Sequence, residues 1–133
     1  VTLAGTLRTM NETWRAEANR LIRSVVESTC AAWGATAELQ IPLGYPSLTN
    51  DPALTAVARG AAEDLLGADH VHTLDLRMTA DDFAFYGTAV PGCYFRLGTS
   101  DAGTRHTASV HTAGFDIHEE AMRTGLAAMV WIA

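Results

Sequence analysis

The stretch that decides the fold is Val110–Glu120, which reads Val-His-Thr-Ala-Gly-Phe-Asp-Ile-His-Glu-Glu. Asp116 is a favourable N-cap, and Glu119, three residues later, completes a capping box. Apolar residues then recur at helical spacing, which predicts a terminal helix whose apolar face packs on a core. These residues are Met122, Leu126, Met129 and Val130. His111 therefore lies in a loop that the following helix holds in place.

A histidine held in such a loop is suited to binding a metal ion. Zinc binds neutral imidazole, and a rigid mount lowers the cost of ordering the ligand. Alone, His111 is weak evidence, because most loop histidines are ordinary surface residues. His70 and His72 share a strand face without a third ligand, and His106 and His118 are interpreted as solvated residues of a loop and a helix start. The metal hypothesis therefore needs support from other motifs.

Charge and composition exclude several classes of function. The formal net charge is −6, and all nine basic residues are scattered arginines, so the chain lacks the basic footprint of a nucleic-acid binder. Its apolar runs are too short to span a membrane. Cys30 and Cys93 fit reduced core thiols better than a disulfide framework, so a cytoplasmic location is the default expectation.

The first part of the chain alternates between strand and helix patterns. Apolar and polar residues alternate over Val1–Arg8, as in a strand with one buried face. Thr9 and Glu12 form a capping box for a long amphipathic helix that ends at Gly34, and a second strand pattern covers 36–43. Strand, helix and strand predict a right-handed crossover unit.

The second part continues this pattern after a turn-rich connector over 44–50. The predicted elements are a helix begun by Asp51 and Pro52 and ended by Gly67, a strand over 71–77, a short helix capped by Thr79 and Asp82, an apolar strand over 93–97, and the terminal helix. The predicted class is therefore mixed α/β.

Five short motifs occur in a fixed order. They are Gly5–Thr9, Gly44–Asp51, Met78–Tyr86, Val90–Gly98 and His111–Glu120. Together they resemble the C-terminal third of the zinc-dependent aminoacylase and carboxypeptidase metallopeptidases, closest to the amidohydrolase branch that contains hippurate hydrolase. Two departures bear on the position of His111: Asp81 replaces a glutamate, which shortens a carboxylate, and Thr112-Ala113 replaces Ser-Pro, which removes a stiffening proline.

The resemblance implies a domain organisation. Residues 1–50 correspond to the second half of a ferredoxin-like lid that also forms the family's dimer, and residues 51–133 to the C-terminal part of the α/β catalytic domain. The family's other metal ligands and its catalytic glutamate lie upstream of the lid. We therefore expect no catalytic residue in this chain, which by itself would be metal-free and inactive.

The resemblance also implies roles for four residues, each of which has a plainer reading. His111 would hold one of two divalent ions, zinc or manganese. Arg8 would bind the substrate carboxylate, with the backbone of Gly98 nearby, although Arg8 could be a surface charge and Gly98 a turn residue. Asp81 and Asp82 could simply cap and charge a helix start; Asp82 is assigned to that role, and Asp81 is a candidate for a hydrogen bond close to the metal.

The predicted function is hydrolysis of an N-acyl amino acid by metal-activated water, with the glutamate general base outside this chain. The alternative is a non-catalytic oligomerisation or binding module of the same fold. The expected partners are a small-molecule substrate and either a second copy, through the lid, or the missing N-terminal part; neither nucleic acid nor a membrane is expected.

Overall fold

The computed structural model describes residues 1–100, 103 and 108–133. These residues form four α-helices, α1 (Glu12–Ala32), α2 (Pro52–Leu66), α3 (Phe83–Gly87) and α4 (Glu120–Ile132), and a 3-10 turn at Ala68–His70. They divide into two compact units. The first unit comprises Val1–Thr49 and Asp75–Val90, and the second comprises Asn50–Leu74 and Pro91–Ala133. The predicted domain division at residues 50 and 51 stays a prediction.

The helix boundaries that depend on adjacent residues are confirmed. Oδ1 of Asp51 accepts a hydrogen bond from the N–H of Leu54 at 2.8 Å, and Pro52 occupies the first turn of α2. Gly34 and Gly67 follow α1 and α2 with φ angles of 67° and 88°, the left-handed region that glycine adopts without steric cost. Both predicted stops therefore follow from backbone geometry.

The predicted capping box at the start of α1 is wrong. The side chain of Asn11 is the cap, since its Oδ1 accepts from the N–H of Trp14 at 2.8 Å. Thr9 lies outside the helix, where its hydroxyl accepts from the N–H of Asn11 at 3.2 Å. Asparagine is at least as favourable an N-cap as threonine, and Asn11 directly precedes the first helical residue, Glu12.

The predicted starts of α3 and α4 also need correction. Asp82 has a helical backbone, with φ −70° and ψ −17°, so its side chain does not cap α3. Asp81 does so instead, accepting from the N–H of Phe83 at 2.9 Å. Helix α4 begins at Glu120 rather than after Asp116, whose carboxylate accepts from the next backbone N–H at 2.8 Å.

The four segments predicted as strands, 1–8, 36–43, 71–77 and 93–97, form no strand in the described part of the chain. Alternation of apolar residues predicts which face of a strand would be buried, but a strand also needs a second segment at about 4.8 Å to complete its hydrogen bonds. No such ladder joins the described residues. The structure therefore shows helices, and the mixed α/β class stays a prediction.

Few side chains are buried, and among the described residues all of these are alanines. They are Ala18, Ala58, Ala84 and Ala128, one on each α-helix. In the second unit α2 packs against α4, and a Cβ added to Gly125 of α4 would lie 2.8 Å from Cδ2 of Leu97. The lack of a side chain at Gly125 therefore lets the Leu97 side chain lie close to the backbone of α4.

The large apolar residues of α4 do not form the core that its periodicity predicts. Their side chains are exposed: Met122 by 59%, Leu126 by 68%, Met129 by 59% and Val130 by 69%. The covered face carries Ala128 and Gly125, so the predicted core face is wrong in this structure. None of the described helices has the length and apolar content needed to cross a membrane.

A polar cluster in the first unit holds the connector against the start of α1. The Glu12 carboxylate accepts from the N–H of Ser47 at 2.8 Å and pairs with Arg15. Arg15 in turn donates from Nη1 to the carbonyl of Tyr45 at 2.6 Å. The ring of Tyr45 meets Phe85 edge to face, with 5.9 Å between centroids. Residues 45–47 are thus fixed from both sides.

Stability should depend on pH through this cluster. The N–H of Ser47, and beyond it the Arg15 guanidinium, hold the pKa of Glu12 below its ordinary value of 4.5. A lowered pKa stabilises the fold above that ordinary value and stops doing so as the pH falls through the lowered value. We expect Glu12→Gln to cost on the order of 0.5–1 kcal/mol at pH 7, since the pair is solvent-screened.

The free energy of unfolding from denaturant titrations at pH 7 and pH 3 checks this expectation. The penalty for Glu12→Gln should shrink at pH 3. Glu27→Gln is the matched control, because Glu27 is exposed and makes no hydrogen bond or ion pair with the described residues. A penalty for Glu12→Gln that is equal at both pH values would show that the carboxylate charge does not stabilise the connector.

Candidate functional site

The side chain of Asn50 pairs with the backbone of Tyr94 in both directions. Its Nδ2 donates to the carbonyl of Tyr94 at 2.9 Å, and the N–H of Tyr94 donates to Oδ1 at 2.9 Å. The N–H of Asp51 also donates to the carbonyl of Gly92 at 2.8 Å. These three hydrogen bonds fix residues 92–94 to the start of α2.

The sequence pattern predicts Asn50 only as the end of a connector and does not predict these hydrogen bonds. The one indication in the sequence was that Asn50 directly precedes Asp51, the N-cap of α2, so the start of the helix holds its backbone in place. A carboxamide can donate and accept at the same time, so it can complete both hydrogen bonds of one backbone residue. Which residue it would pair with was not readable from the sequence, because Tyr94 is distant along the chain.

The segment that begins at Gly92 is also held at its other end. The carbonyl of Thr99 accepts from the N–H of His118, just before α4, at 2.8 Å. Leu97 lies against Gly125 of α4, as the spacing described above shows. Gly98 is therefore placed between two anchored residues. It is exposed, and a Cβ added to it would meet nothing within 4 Å.

His111 has an unusual backbone. Its φ angle is 65°, and among the described residues it is the one non-glycine residue with a positive φ. Histidine enters this left-handed region more often than most residues, but at a steric cost. The turn that follows is fixed by the hydroxyl of Thr112, which donates to the carbonyl of Ser109 at 2.7 Å, and by the N–H of Phe115, which donates to the carbonyl of Thr112 at 3.1 Å.

The position of His111 would allow its side chain to supply one ligand to a metal ion. His111 is exposed, and its side chain makes no hydrogen bond with the described residues. No group of three or more histidine, cysteine, aspartate or glutamate residues in the described part could hold a metal ion. His70 and His72 are exposed, and His106 lies outside the described residues. A complete coordination sphere would need ligands from elsewhere.

The other two candidates belong to the first unit. Arg8 is exposed and forms no hydrogen bond or ion pair with the described residues, so its guanidinium is accessible. Asp81 is half-buried, and one of its carboxylate oxygens accepts from the N–H of Phe83. Gly98 and His111 lie in the second unit. The functional roles of all four residues stay predictions.

Comparison with known proteins identifies a family. Residues 4–133 match the profile described as "Peptidase family M20/M25/M40". A putative amidohydrolase, YhaA, from Bacillus subtilis is 34% identical over 92% of this chain. An uncharacterized hydrolase, y4tI, from Sinorhizobium fredii is 30% identical over 92% of it. A putative glutamate–cysteine ligase 2-3 from Rhodococcus jostii is 36% identical over 96% of it.

The chain spans only part of each of these relatives. The matched region covers 31% of the B. subtilis protein, 30% of the S. fredii protein and 16% of the R. jostii protein. No solved structure matches the chain at a significant level.

The backbone of His111 can be tested apart from its imidazole. His111→Ala and His111→Gly both remove the ring, but glycine adopts a positive φ without the steric cost that alanine has. We expect the glycine variant to be more stable than the alanine variant by about 1 kcal/mol. Urea titration of the two variants measures this difference.

The same two substitutions at His72 provide the control, since φ is not positive there. At that position alanine should be at least as stable as glycine. If alanine is also the more stable residue at position 111, the left-handed conformation does not describe this loop in solution.

Proposed function

The chain belongs to peptidase family M20/M25/M40, and we propose on this premise that a protein carrying it hydrolyses the amide bond of an N-acyl amino acid or a similar small substrate. Water would attack the amide carbonyl carbon, the C–N bond would break, and the amine would leave with a proton as the free amino acid. The relative named as a putative amidohydrolase supports an amide as substrate. Two bound zinc or manganese ions would supply the activated water. The glutamate general base would lie outside this chain.

His111 is the observation that carries this proposal. An exposed imidazole without a hydrogen-bond partner in the described part, on a turn fixed by the Thr112 hydroxyl, can offer a nitrogen to a metal ion with little reorganisation. Thr112 stands where the resembling family has serine, but it keeps the hydroxyl that closes the turn. Thr112 therefore keeps the hydroxyl contact, while Ala113 lacks the proline that stiffens this loop in the resembling family.

Arg8 would bind the substrate carboxylate. Its guanidinium is accessible and can form two parallel hydrogen bonds with a carboxylate, which a lysine ammonium cannot do. The exposed backbone of Gly98 would lie near the same group, and Asp81 would contribute a hydrogen bond close to the metal. Asp81 is half-buried, and its carboxylate also accepts from the N–H of Phe83.

The second candidate function is a non-catalytic oligomerisation or binding module. The exposed apolar side chains of α1 and α4 favour it, because patches of this kind are covered by other protein surfaces in most soluble proteins. Under either function we propose that the chain associates, with a second copy as a homodimer or with an N-terminal part of the same protein. Metal binding and turnover separate the two functions.

Removal of the His111 imidazole tests the metal proposal. In the full-length protein, His111→Ala should lower the metal content by about one ion per chain and reduce kcat/KM by about 100-fold, because the loss of a ligand leaves the metal incompletely coordinated. Elemental analysis of dialysed protein and hydrolysis of N-acetyl amino acids measure the two effects.

His72→Ala is the matched control, since His72 is an exposed histidine of the same unit. It should retain full metal content and activity. If His111→Ala binds the normal amount of metal and turns over at the normal rate, His111 is not a ligand.

The role of Arg8 is tested by Arg8→Lys, which keeps the charge and loses the bidentate geometry. We expect KM to rise about tenfold with little change in melting temperature, because Arg8 is exposed and forms no hydrogen bond or ion pair with the described residues. Arg123→Lys, at an exposed arginine that pairs with Glu120, is the control. A fall in melting temperature with an unchanged KM would make Arg8 a structural residue.

A further inference from the structure

We propose that Asn50 is a positioning residue for substrate binding, which acts by fixing the segment 92–99 that carries Gly98. This inference rests on the proposed function, since it assumes that the backbone of Gly98 lies near the substrate carboxylate. Asn50 itself would not touch the substrate. Its effect is transmitted through the backbone of Tyr94 and the residues that follow.

The contact at Asn50 fixes orientation as well as distance. Donation to the Tyr94 carbonyl and acceptance from the Tyr94 N–H, both at 2.9 Å, use the two ends of one planar amide. A segment held by such a pair can neither rotate about its axis nor slide along it without breaking a hydrogen bond. The bond from the Asp51 N–H to the Gly92 carbonyl adds a third fixed point.

Gly98 lies close along the chain to the residues that Asn50 holds. Only Phe95, Arg96 and Leu97 lie between Tyr94 and Gly98. Leu97 is packed on Gly125, and the Thr99 carbonyl is bonded to the His118 N–H. With both ends held, Gly98 has one position relative to α2 and α4. Without the Asn50 amide, the segment loses the two hydrogen bonds at Tyr94, and among the described residues the hydrogen bond from Asp51 to Gly92 remains at that end.

Loss of the Asn50 amide removes two hydrogen bonds of the Tyr94 backbone. Tyr94 and Asn50 are both half-buried, so replacing these hydrogen bonds with bonds to water costs free energy. Asparagine is also the shortest side chain that can donate and accept in this way. Glutamine has one more methylene, and aspartate at neutral pH has no donor for the Tyr94 carbonyl.

The first arm of the test measures the constraint directly. In the full-length protein, Asn50→Ala should speed hydrogen exchange at the Tyr94 amide at least tenfold. Asn11→Ala is the matched control, because Asn11 caps α1 in the first unit by accepting from the N–H of Trp14, so its loss also removes an asparagine hydrogen bond, but not one to Tyr94. Its Tyr94 exchange should equal that of the wild type. Unchanged exchange in Asn50→Ala would overturn the proposal.

The second arm measures substrate binding with N-acetyl amino acids and N-benzoylglycine as probes. Asn50→Ala should raise KM about tenfold while kcat stays within twofold and metal content is unchanged. Asn11→Ala should leave KM unchanged. Asn50→Asp preserves the side-chain volume and is the variant to use if Asn50→Ala folds poorly. It should also raise KM, since its carboxylate cannot donate a hydrogen bond to the Tyr94 carbonyl.

The outcomes separate this inference from the proposed function. Hydrolysis of the probes with the same KM in the wild type and both Asn50 variants would overturn the role of Asn50 alone. A full-length wild-type protein that hydrolyses none of the probes would overturn the proposed function and, with it, the role of Asn50 in substrate binding.

Discussion

The paired hydrogen bonds between the Asn50 amide and the Tyr94 backbone are the contact on which the second unit depends. The segment 93–97 has no strand partner among the described residues, so its backbone groups are not completed by a β-ladder. The Asn50 amide takes the place of a partner strand at one residue. Because Asn50 immediately precedes the N-cap of α2, the segment, α2 and α4 are tied into one unit.

The features that the sequence predicted correctly are those that act over a few residues. Asp51 caps α2 through a backbone N–H three residues away, and Gly34 and Gly67 end their helices through their own φ angles. Asp82 and Asp116 had equally good cap sequences but do not cap. A side chain caps only when its own backbone is non-helical, and Asp82 has helical angles. That requirement depends on the surrounding fold, which the local sequence does not encode.

The apolar pattern of α4 shows a second limit. Its spacing correctly predicts a helix, and its large side chains suggest the buried face. In the structure the covered face instead carries Ala128 and Gly125, while Leu126 and Val130 are exposed. Small residues on the covered face allow Leu97 to lie close to α4. Sequence periodicity alone does not show whether the small or the large residues of a helix form the face that is buried within the chain. The exposed face supports the proposed association.

The candidate site was predicted in part. The loop position of His111 follows from the sequence, whereas its left-handed backbone and the closing bond from Thr112 do not. The anchoring of Gly98 through Asn50 depends on a contact between residues distant along the chain, which no local pattern reveals.

The most direct test of the account is a crystal structure of the full-length protein grown with zinc or manganese, with data collected at the metal absorption edge. The account predicts an anomalous peak about 2.1 Å from an imidazole nitrogen of His111. A fully occupied metal whose coordination sphere excludes His111 would contradict it.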